Sequence, residues 1–463
     1  MVIDERNALE VVMIHKFKQG GLYMVVDVNS GAVHVVDELV YDILEYYPEK
    51  AVLEVVSILE EKYEEKSILD AVGEINELMR AEQIFCEDKY IHNLEFKARK
   101  PVIKAMCLHV AHDCNIRCKY CFASQGDFEG DRSLMDLETG KKALEFLCKN
   151  SGNRRNLEVD FFGGEPLMNF DVCKQLVEYG RGLEKEYNKL FRFTMTTNGV
   201  LLNDENMDYI NKEMHNVVLS LDGRPEINDT MRYTISGGGT YDLIMPKFKK
   251  MVEKRGDKSY YIRGTFTRFN TDFAADVLHM ADQGFDNVSI EPVVAEPTHD
   301  YALRDEDIST IFQQYDELAE EIIKREKNDE GFNFFHFMID LSQGPCIVKR
   351  LSGCGAGAEY IAVTPEGDIY PCHQFVGNED FKMGSVMTGE MDMSLNNNFK
   401  NAHVYNKPDC KECWAKFYCS GGCHANAYNF NDDINTPYSL GCEMEKKRLE
   451  CSLYIQAKLM TED

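Results

Sequence analysis

Cys114-Asn115-Ile116-Arg117-Cys118-Lys119-Tyr120-Cys121 is the stretch from which the rest of the chain becomes legible. Its three cysteines, spaced C-x3-C-x2-C, follow directly on an apolar, β-rich run near 103–111, so they occupy a tight loop at the end of a strand. Three thiolates on one loop can hold three irons of a [4Fe–4S] cluster and leave the fourth iron open. A zinc site of the usual kind wants four ligands, and this loop offers three.

Downstream, apolar or β-rich runs recur near 157–162, 192–197, 216–221, 259–267 and 287–292, with a helical pattern between each pair. Repeated βα units imply a parallel sheet and an α/β fold, and six of them suit a partial (β/α)6 barrel of the TIM type over residues 103–310. The chemistry is then expected in the loops at the C-terminal ends of the strands. The second run closes on Gly163-Gly164-Glu165-Pro166, where glycines let the backbone approach a ligand and the Glu can accept from an ammonium. Thr197-Asn198 end the third run, and Ser220 and Asp222 end the fourth; polar turn-forming residues are also commonplace at such positions.

Towards the C-terminus the texture changes. The charged amphipathic pattern DEDISTIFQQYDELAEEIIKREK lies within residues 302–330, and 311–343 read as a solvated helical connector. From 344 to 463 the segments are short, Gly- and Cys-rich and weakly periodic, which marks a metal-stabilised domain. It carries Cys354, Cys372, Cys410, Cys413, Cys419, Cys423 and Cys442. Seven is an awkward number for any set of four-ligand zinc sites.

Towards the N-terminus, residues 11–36 alternate apolar runs with Gln19-Gly20-Gly21 and Asn29-Ser30-Gly31, which predicts a three-stranded meander. Helical patterns follow near 37–47, 51–63 and 67–80, so residues 1–90 form a β-plus-helical module of about winged-helix size. A linker, polar and broken by Pro101, covers 91–102. DNA is an unfavourable partner for this module, because residues 1–90 hold 20 Asp and Glu against 8 Lys and Arg.

Composition agrees. The 463 residues carry a net charge of −28, which excludes a nucleic-acid partner, and 44% hydrophobic content is enough for two to four domains. No run of about 18 apolar residues predicts a membrane span, and the charged start MVIDERNALE is no signal peptide, so a cytoplasmic address is expected. Sixteen cysteines in a reducing compartment point to cluster ligation rather than disulfides. The 21 Met are scattered core filler, and the 12 His show no paired ligand spacing. Cys86, Cys107, Cys148, Cys173 and Cys451 sit in helical or strand patterns as small buried hydrophobes.

The cysteine triad, the Gly-Gly-Glu-Pro turn and the seven C-terminal cysteines together resemble the radical S-adenosylmethionine (SAM) enzymes that carry a SPASM extension. The resemblance implies that the open iron beside Cys114, Cys118 and Cys121 chelates SAM, whose cleavage yields a 5′-deoxyadenosyl radical. It implies SAM contacts for Gly163, Gly164 and Glu165 at the methionyl amine, for Thr197, Asn198, Ser220 and Asp222 at the ribose or carboxylate, and for Tyr120 near the adenine. It also implies two auxiliary clusters, one on Cys354, Cys372 and Cys423 and one on Cys410, Cys413, Cys419 and Cys442, making three [4Fe–4S] clusters. The first has three ligands, so either Cys346 or a substrate thiolate completes it. His373, next to a ligand, either touches substrate or is an ordinary loop histidine.

The N-terminal module resembles the PqqD-like element that captures a leader peptide as an added strand. The whole order is similar to the clostridial SCIFF-peptide maturases, which join a cysteine sulfur to the α-carbon of an acceptor residue. That resemblance implies a cysteine-rich precursor peptide with a leader as substrate, and a reductase or a flavodoxin or ferredoxin as electron donor. Two readings compete. One is an anaerobic sulfatase-type maturase that oxidises Cys or Ser to formylglycine; the other is a cluster-bearing binding or sensor protein.

Overall fold

The computed structural model describes residues 13–93, 96, 98–100, 102–341 and 347–461. Cys346 lies outside the described residues.

Three antiparallel strands, β1 (Ile14–Gln19), β2 (Leu22–Asp27) and β3 (Val33–Val36), form the predicted meander in the order β1-β2-β3. Gly20 and Gly21 make the first turn with φ of +54° and +80°, a region that favours glycine. Helices α1 (Glu38–Ile43), α2 (Val52–Leu59) and α3 (Glu65–Arg80) follow, the first two shorter than their sequence patterns and the third two residues longer. They pack Val55, Ile68 and Ile75 on Val25 of the sheet.

The opposite face of the meander is not free. Phe17, Met24 and Val26 pack on Leu453 and Ala457 of the last helix, Ser439–Thr461. The His15 ring stacks on Trp414 at 3.8 Å, and Asp88 receives Lys416 Nζ at 3.0 Å and the Tyr405 hydroxyl at 2.7 Å. The N-terminal module therefore docks on the C-terminal region.

The strands that follow in chain order are β4 (Ala105–His112), β5 (Ile116–Cys118), β6 (Ser133–Leu134), β7 (Asn156–Gly163), β8 (Leu190–Thr197), β9 (Asn216–Ser220) and β10 (Arg232–Thr234), of which β5 and β10 pair with each other as a small separate sheet and the rest belong to the large one. After these come β11 (Tyr260–Phe266), β12 (Asn287–Pro292) and β13 (Asn333–Phe334), then β14 (Tyr360–Val363), β15 (Asp368–Tyr370), β16 (Gly384–Ser385) and β17 (Glu390–Met391). The six expected runs lie side by side and parallel, as β4, β7, β8, β9, β11 and β12. They do not end the sheet. On one side β13 joins β12 in parallel; on the other β14, from the cysteine-rich region, joins β4 in parallel and continues through an antiparallel β14-β15-β16-β17 ribbon. Val159, Phe161, Phe193, Met195 and Val217 face the helix layer and are fully buried, whereas the alternate residues face the inner side of the sheet.

One sequence expectation fails. The charged helix is Ile308–Lys327, and it is no solvated connector, because Ile311, Tyr315, Leu318, Ala319, Ile322 and Ile323 are buried against the sheet helices and the last helix. Asp316 and Glu320 also reach the last helix, through Lys447 at 2.5 Å and the Tyr454 hydroxyl at 2.7 Å. No helix among the described residues is long and apolar enough to cross a membrane.

Candidate functional site

β4 delivers the chain to Cys114, and the loop folds back as β5, which pairs with β10 so that Arg232 stands opposite Cys118. The two glycines at the end of β7 are needed because this loop lies on them. A Cβ on Gly163 would come 2.2 Å from the Ala111 carbonyl oxygen, and one on Gly164 would come 2.1 Å from that of Asp113. The Gly-Gly pair thus lets one strand end close over the cysteine loop.

Glu165 is wholly buried and faces protein. Its carboxylate accepts from Thr197 Oγ1 at 2.8 Å, the Asn198 amide at 2.8 Å and the Leu167 amide at 3.0 Å. Burial raises its pKa, and these three hydrogen bonds oppose the rise. Asn198 in turn donates to Asn115 Oδ1 at 2.8 Å and reaches Cys114 Sγ at 3.7 Å. Glu165 therefore orders the polar ends of β8 against the cysteine loop. Glu165→Gln is expected to remain folded but to lose about 1–3 kcal/mol of stability, since an amide nitrogen must replace one acceptor. Chemical denaturation with SAM titrations checks this, and an unchanged midpoint would contradict it.

Asp222 is likewise fully buried. It accepts the Tyr120 hydroxyl at 2.8 and 2.6 Å and the Thr265 amide at 3.0 Å, with Arg232 Nη1 3.8 Å away. Tyr120 also receives Arg232 Nη1 at 2.9 Å. Asp222, Tyr120 and Arg232 form one buried network behind Cys118, in which burial raises the Asp222 pKa and Arg232 lowers it. Arg232 carries no motif; only the β5–β10 pairing reveals it.

The cysteines gather into three groups. Cys114, Cys118 and Cys121 lie close enough to perturb one another, and burial pushes Cys114 up to about 11 and Cys118 to about 12. Cys372 is raised by burial first and then by Cys423 and Cys354. Cys419, up to about 12, is raised by burial and then among others by Cys442, Cys410 and Cys413. All ten thiols are free. Among the described residues no three Cys, His, Asp or Glu side chains converge tightly enough for a single metal ion. A cluster core asks for less convergence, because each thiolate binds a different iron. Free thiols in groups of three, three and four are a donor set that fits such cores, since cation binding is what would draw off their protons.

One cavity of about 550 Å³ joins these groups. Its wall holds Cys114, Cys118, Cys121, Tyr120, Gly163, Gly164, Thr197, Asn198 and Ser220 on one side and His373, Cys419, Cys423 and Cys442 on the other. Glu165 and Asp222 stand behind that wall. Arg263, Glu291 and Arg448, from β11, β12 and the last helix, line the space between. The Arg263 guanidinium makes no hydrogen bond or ion pair among the described residues. Arg448 meets His336 Nδ1 at 3.1 Å, and His336 Nε2 lies 3.5 Å from Glu291. No local pattern announces these residues, and only the fold brings them together. His373 packs on Phe122 and Phe162 at the cavity edge, so it is not an ordinary loop residue. The sequence does hold one histidine pair, contrary to expectation: His109 Nδ1 meets buried His112 Nε2 at 3.0 Å on β4.

Comparison with known proteins follows this division. A family model described as a 4Fe-4S single cluster domain matches residues 103–241, and SPASM, described as an iron-sulfur cluster-binding domain, matches 354–414. A cysteine-type anaerobic sulfatase-maturating enzyme of Clostridium novyi is 24% identical over 73% of this chain and 92% of its own. The radical SAM cyclopropyl synthase TigE of Paramaledivibacter caminithermalis is 24% identical over 69% of this chain and 68% of its own. These matches support the radical SAM/SPASM family. Streptococcus suis SuiB shares the fold of this chain. With S-adenosylmethionine bound it is 16% identical, with a TM-score of 0.52 over 93% of this chain and 99% of its own. A second SuiB structure holds precursor peptide SuiA, at 17% identity and a TM-score of 0.52 over 92% of this chain and 98% of its own. The first matched domain contains the triad loop, and the second contains Cys354, Cys372, Cys410 and Cys413.

Proposed function

We propose that this chain is a radical SAM peptide maturase that forms a thioether bond between a cysteine sulfur and the α-carbon of an acceptor residue in a ribosomally synthesised, cysteine-rich peptide. The observation that carries the reading is the single cavity shared by the Cys114 group and the C-terminal thiols. SAM and three [4Fe–4S] clusters would supply the radical and the route for the electron released on bond formation. Cys114, Cys118 and Cys121 would hold the SAM-side cluster; Cys354, Cys372 and Cys423 the first auxiliary one; and Cys410, Cys413, Cys419 and Cys442 the second.

The chain's own residues do the positioning. Thr197, Asn198 and Ser220 present polar atoms to the SAM side of the cavity. Phe122, Phe162 and His373 offer the substrate an aromatic edge, and Arg263 offers an unpaired cation. Support for a peptide substrate also comes from SuiB, whose structure with precursor peptide SuiA has the same fold. A flavodoxin, ferredoxin or reductase would deliver the electrons.

The runner-up is formylglycine formation, favoured by the similarity to the Clostridium novyi enzyme. The N-terminal module argues against it, because that reaction needs no leader-binding element. Anaerobic incubation with SAM, a reductant and the candidate peptide, read by mass spectrometry, decides between them. Loss of two hydrogens per bridge with all sulfur retained supports the thioether. Loss of sulfur from a cysteine supports formylglycine.

Two further outcomes are expected. The leader would add as a strand to β3, an edge of the first sheet on which Val35 is 41% exposed. Val35→Asp is expected to weaken peptide binding about tenfold, ~1.4 kcal/mol, and to leave SAM cleavage unchanged. Fluorescence anisotropy of a labelled leader checks it, and unchanged affinity would contradict the edge assignment. Removing residues 1–85 outright is a poorer test, since it uncovers Leu453 and Ala457. The second outcome concerns the first auxiliary group, where a substrate thiolate is proposed as fourth ligand. Cys346→Ala should then keep its iron and its bridging activity, and loss of auxiliary iron would make Cys346 the ligand.

A further inference from the structure

Lys407 has no exposed surface at all. Its Nζ donates to the Gly421 carbonyl at 2.8 Å and meets His424 Nδ1 at 3.2 Å, where the imidazole must be the acceptor because an ammonium has only donors. No carboxylate makes an ion pair with it among the described residues. Burial lowers its pKa, and the opposite charges that oppose this come from Cys410, Cys419 and Cys423, with Asp433 after them. An ammonium buried without an anionic partner is strongly unfavourable, so its surroundings must supply the countercharge. Around Lys407 that charge can come from thiolates of both C-terminal groups.

The hydrogen bonds are equally specific in their placement. Gly421 sits midway between Cys419, of one group, and Cys423, of the other. The turn that carries it runs through left-handed conformations at Ser420, Gly421 and Gly422, with φ of +62°, +91° and +71°. Three such residues in succession have little intrinsic preference to hold one shape. A Cβ on Gly421 would lie 3.4 Å from Lys407 Cδ, so the aliphatic stem supports the turn while the ammonium ties its carbonyl.

We propose that Lys407 is a positioning residue for the auxiliary clusters: it fixes the turn between their two ligand groups and places one cation beside both, raising their reduction potentials. The proposal rests on the reading that these thiols hold clusters. Reduction adds one negative charge to a core that is already anionic, so a nearby fixed cation stabilises the reduced form more than the oxidised one. The SAM-side group lies across the cavity and should not feel it comparably.

The test uses the reconstituted full chain, with iron counting and anaerobic redox titrations followed by electron paramagnetic resonance. Lys407→Gln keeps a donor for Gly421 and removes the charge; Lys407→Arg keeps the charge. The Gln variant is expected to retain full iron and to show auxiliary midpoints shifted to lower potential, with the SAM-side midpoint unmoved. The Arg variant should titrate like the native protein. Unmoved auxiliary midpoints in the Gln variant, or an equal shift at the SAM-side cluster, would overturn the proposal. Loss of auxiliary iron in both variants would also overturn it and leave a purely structural lysine. Failure of the underlying reading is distinct: the native protein itself would then hold iron for one cluster only.

Discussion

A Cys114→Ala, Cys118→Ala, Cys121→Ala variant is expected to form no 5′-deoxyadenosine while keeping the iron of the C-terminal groups. The three thiols lie on and around β5, just after β4, and the strand that delivers them is held by Met106, Leu108 and Val110 in the core, independently of the cysteines. Alanine keeps the Cβ of Cys114, which already fits beside Gly126 and Gly164, so the loop packing survives. Iron content should fall by about a third, one [4Fe–4S] core of three. The effect on SAM cleavage should be all-or-none, since no other group in the cavity wall offers three adjacent thiols. Residual 5′-deoxyadenosine above the apoprotein background would show the assignment to be wrong.

The second large effect is expected at Cys372 and Cys423, of which Cys423 lines the cavity from the other side. A Cys372→Ala, Cys423→Ala variant should still cleave SAM but release unmodified peptide, uncoupling radical formation from bond formation. The two halves are separable because the SAM-side residues belong to β4, β7, β8 and β9, whereas Cys372 and Cys423 are held by the aromatic cluster of Phe375, Phe381 and Phe399 and by the following helix, His424–Asn431. Cys372 is 8% exposed, so truncation also leaves a small cavity costing about 1–2 kcal/mol. Comparing 5′-deoxyadenosine yield with product yield checks this. Equal loss of both would mean that these thiols serve SAM cleavage itself.

Much of this was legible in the sequence because ligand spacing and strand periodicity are local. Cys114 to Cys121 fits one turn after a strand whatever surrounds it, and the six apolar runs recur as six parallel strands. Contacts between distant segments were not legible. Helix Ile308–Lys327 reads as solvated because its outer face is charged, yet its Ile, Leu and Tyr positions meet a last helix more than a hundred residues away. Strand β14 gives no sign that it will pair with β4. Glu165 and Asp222 were recognisable as site residues, but their buried hydrogen bonds to Thr197 and Tyr120 were not. Lys407, one lysine among many, is distinguished only by having no exposed surface.

The most direct test of the account uses precursor peptide deuterated at the α-carbon of the acceptor residue. Anaerobic turnover with SAM should give 5′-deoxyadenosine that carries deuterium, together with a peptide lighter by the deuterium and one hydrogen per bridge. Unlabelled 5′-deoxyadenosine from that peptide, with deuterium appearing instead from a second peptide labelled at the cysteine β-carbon, would contradict it.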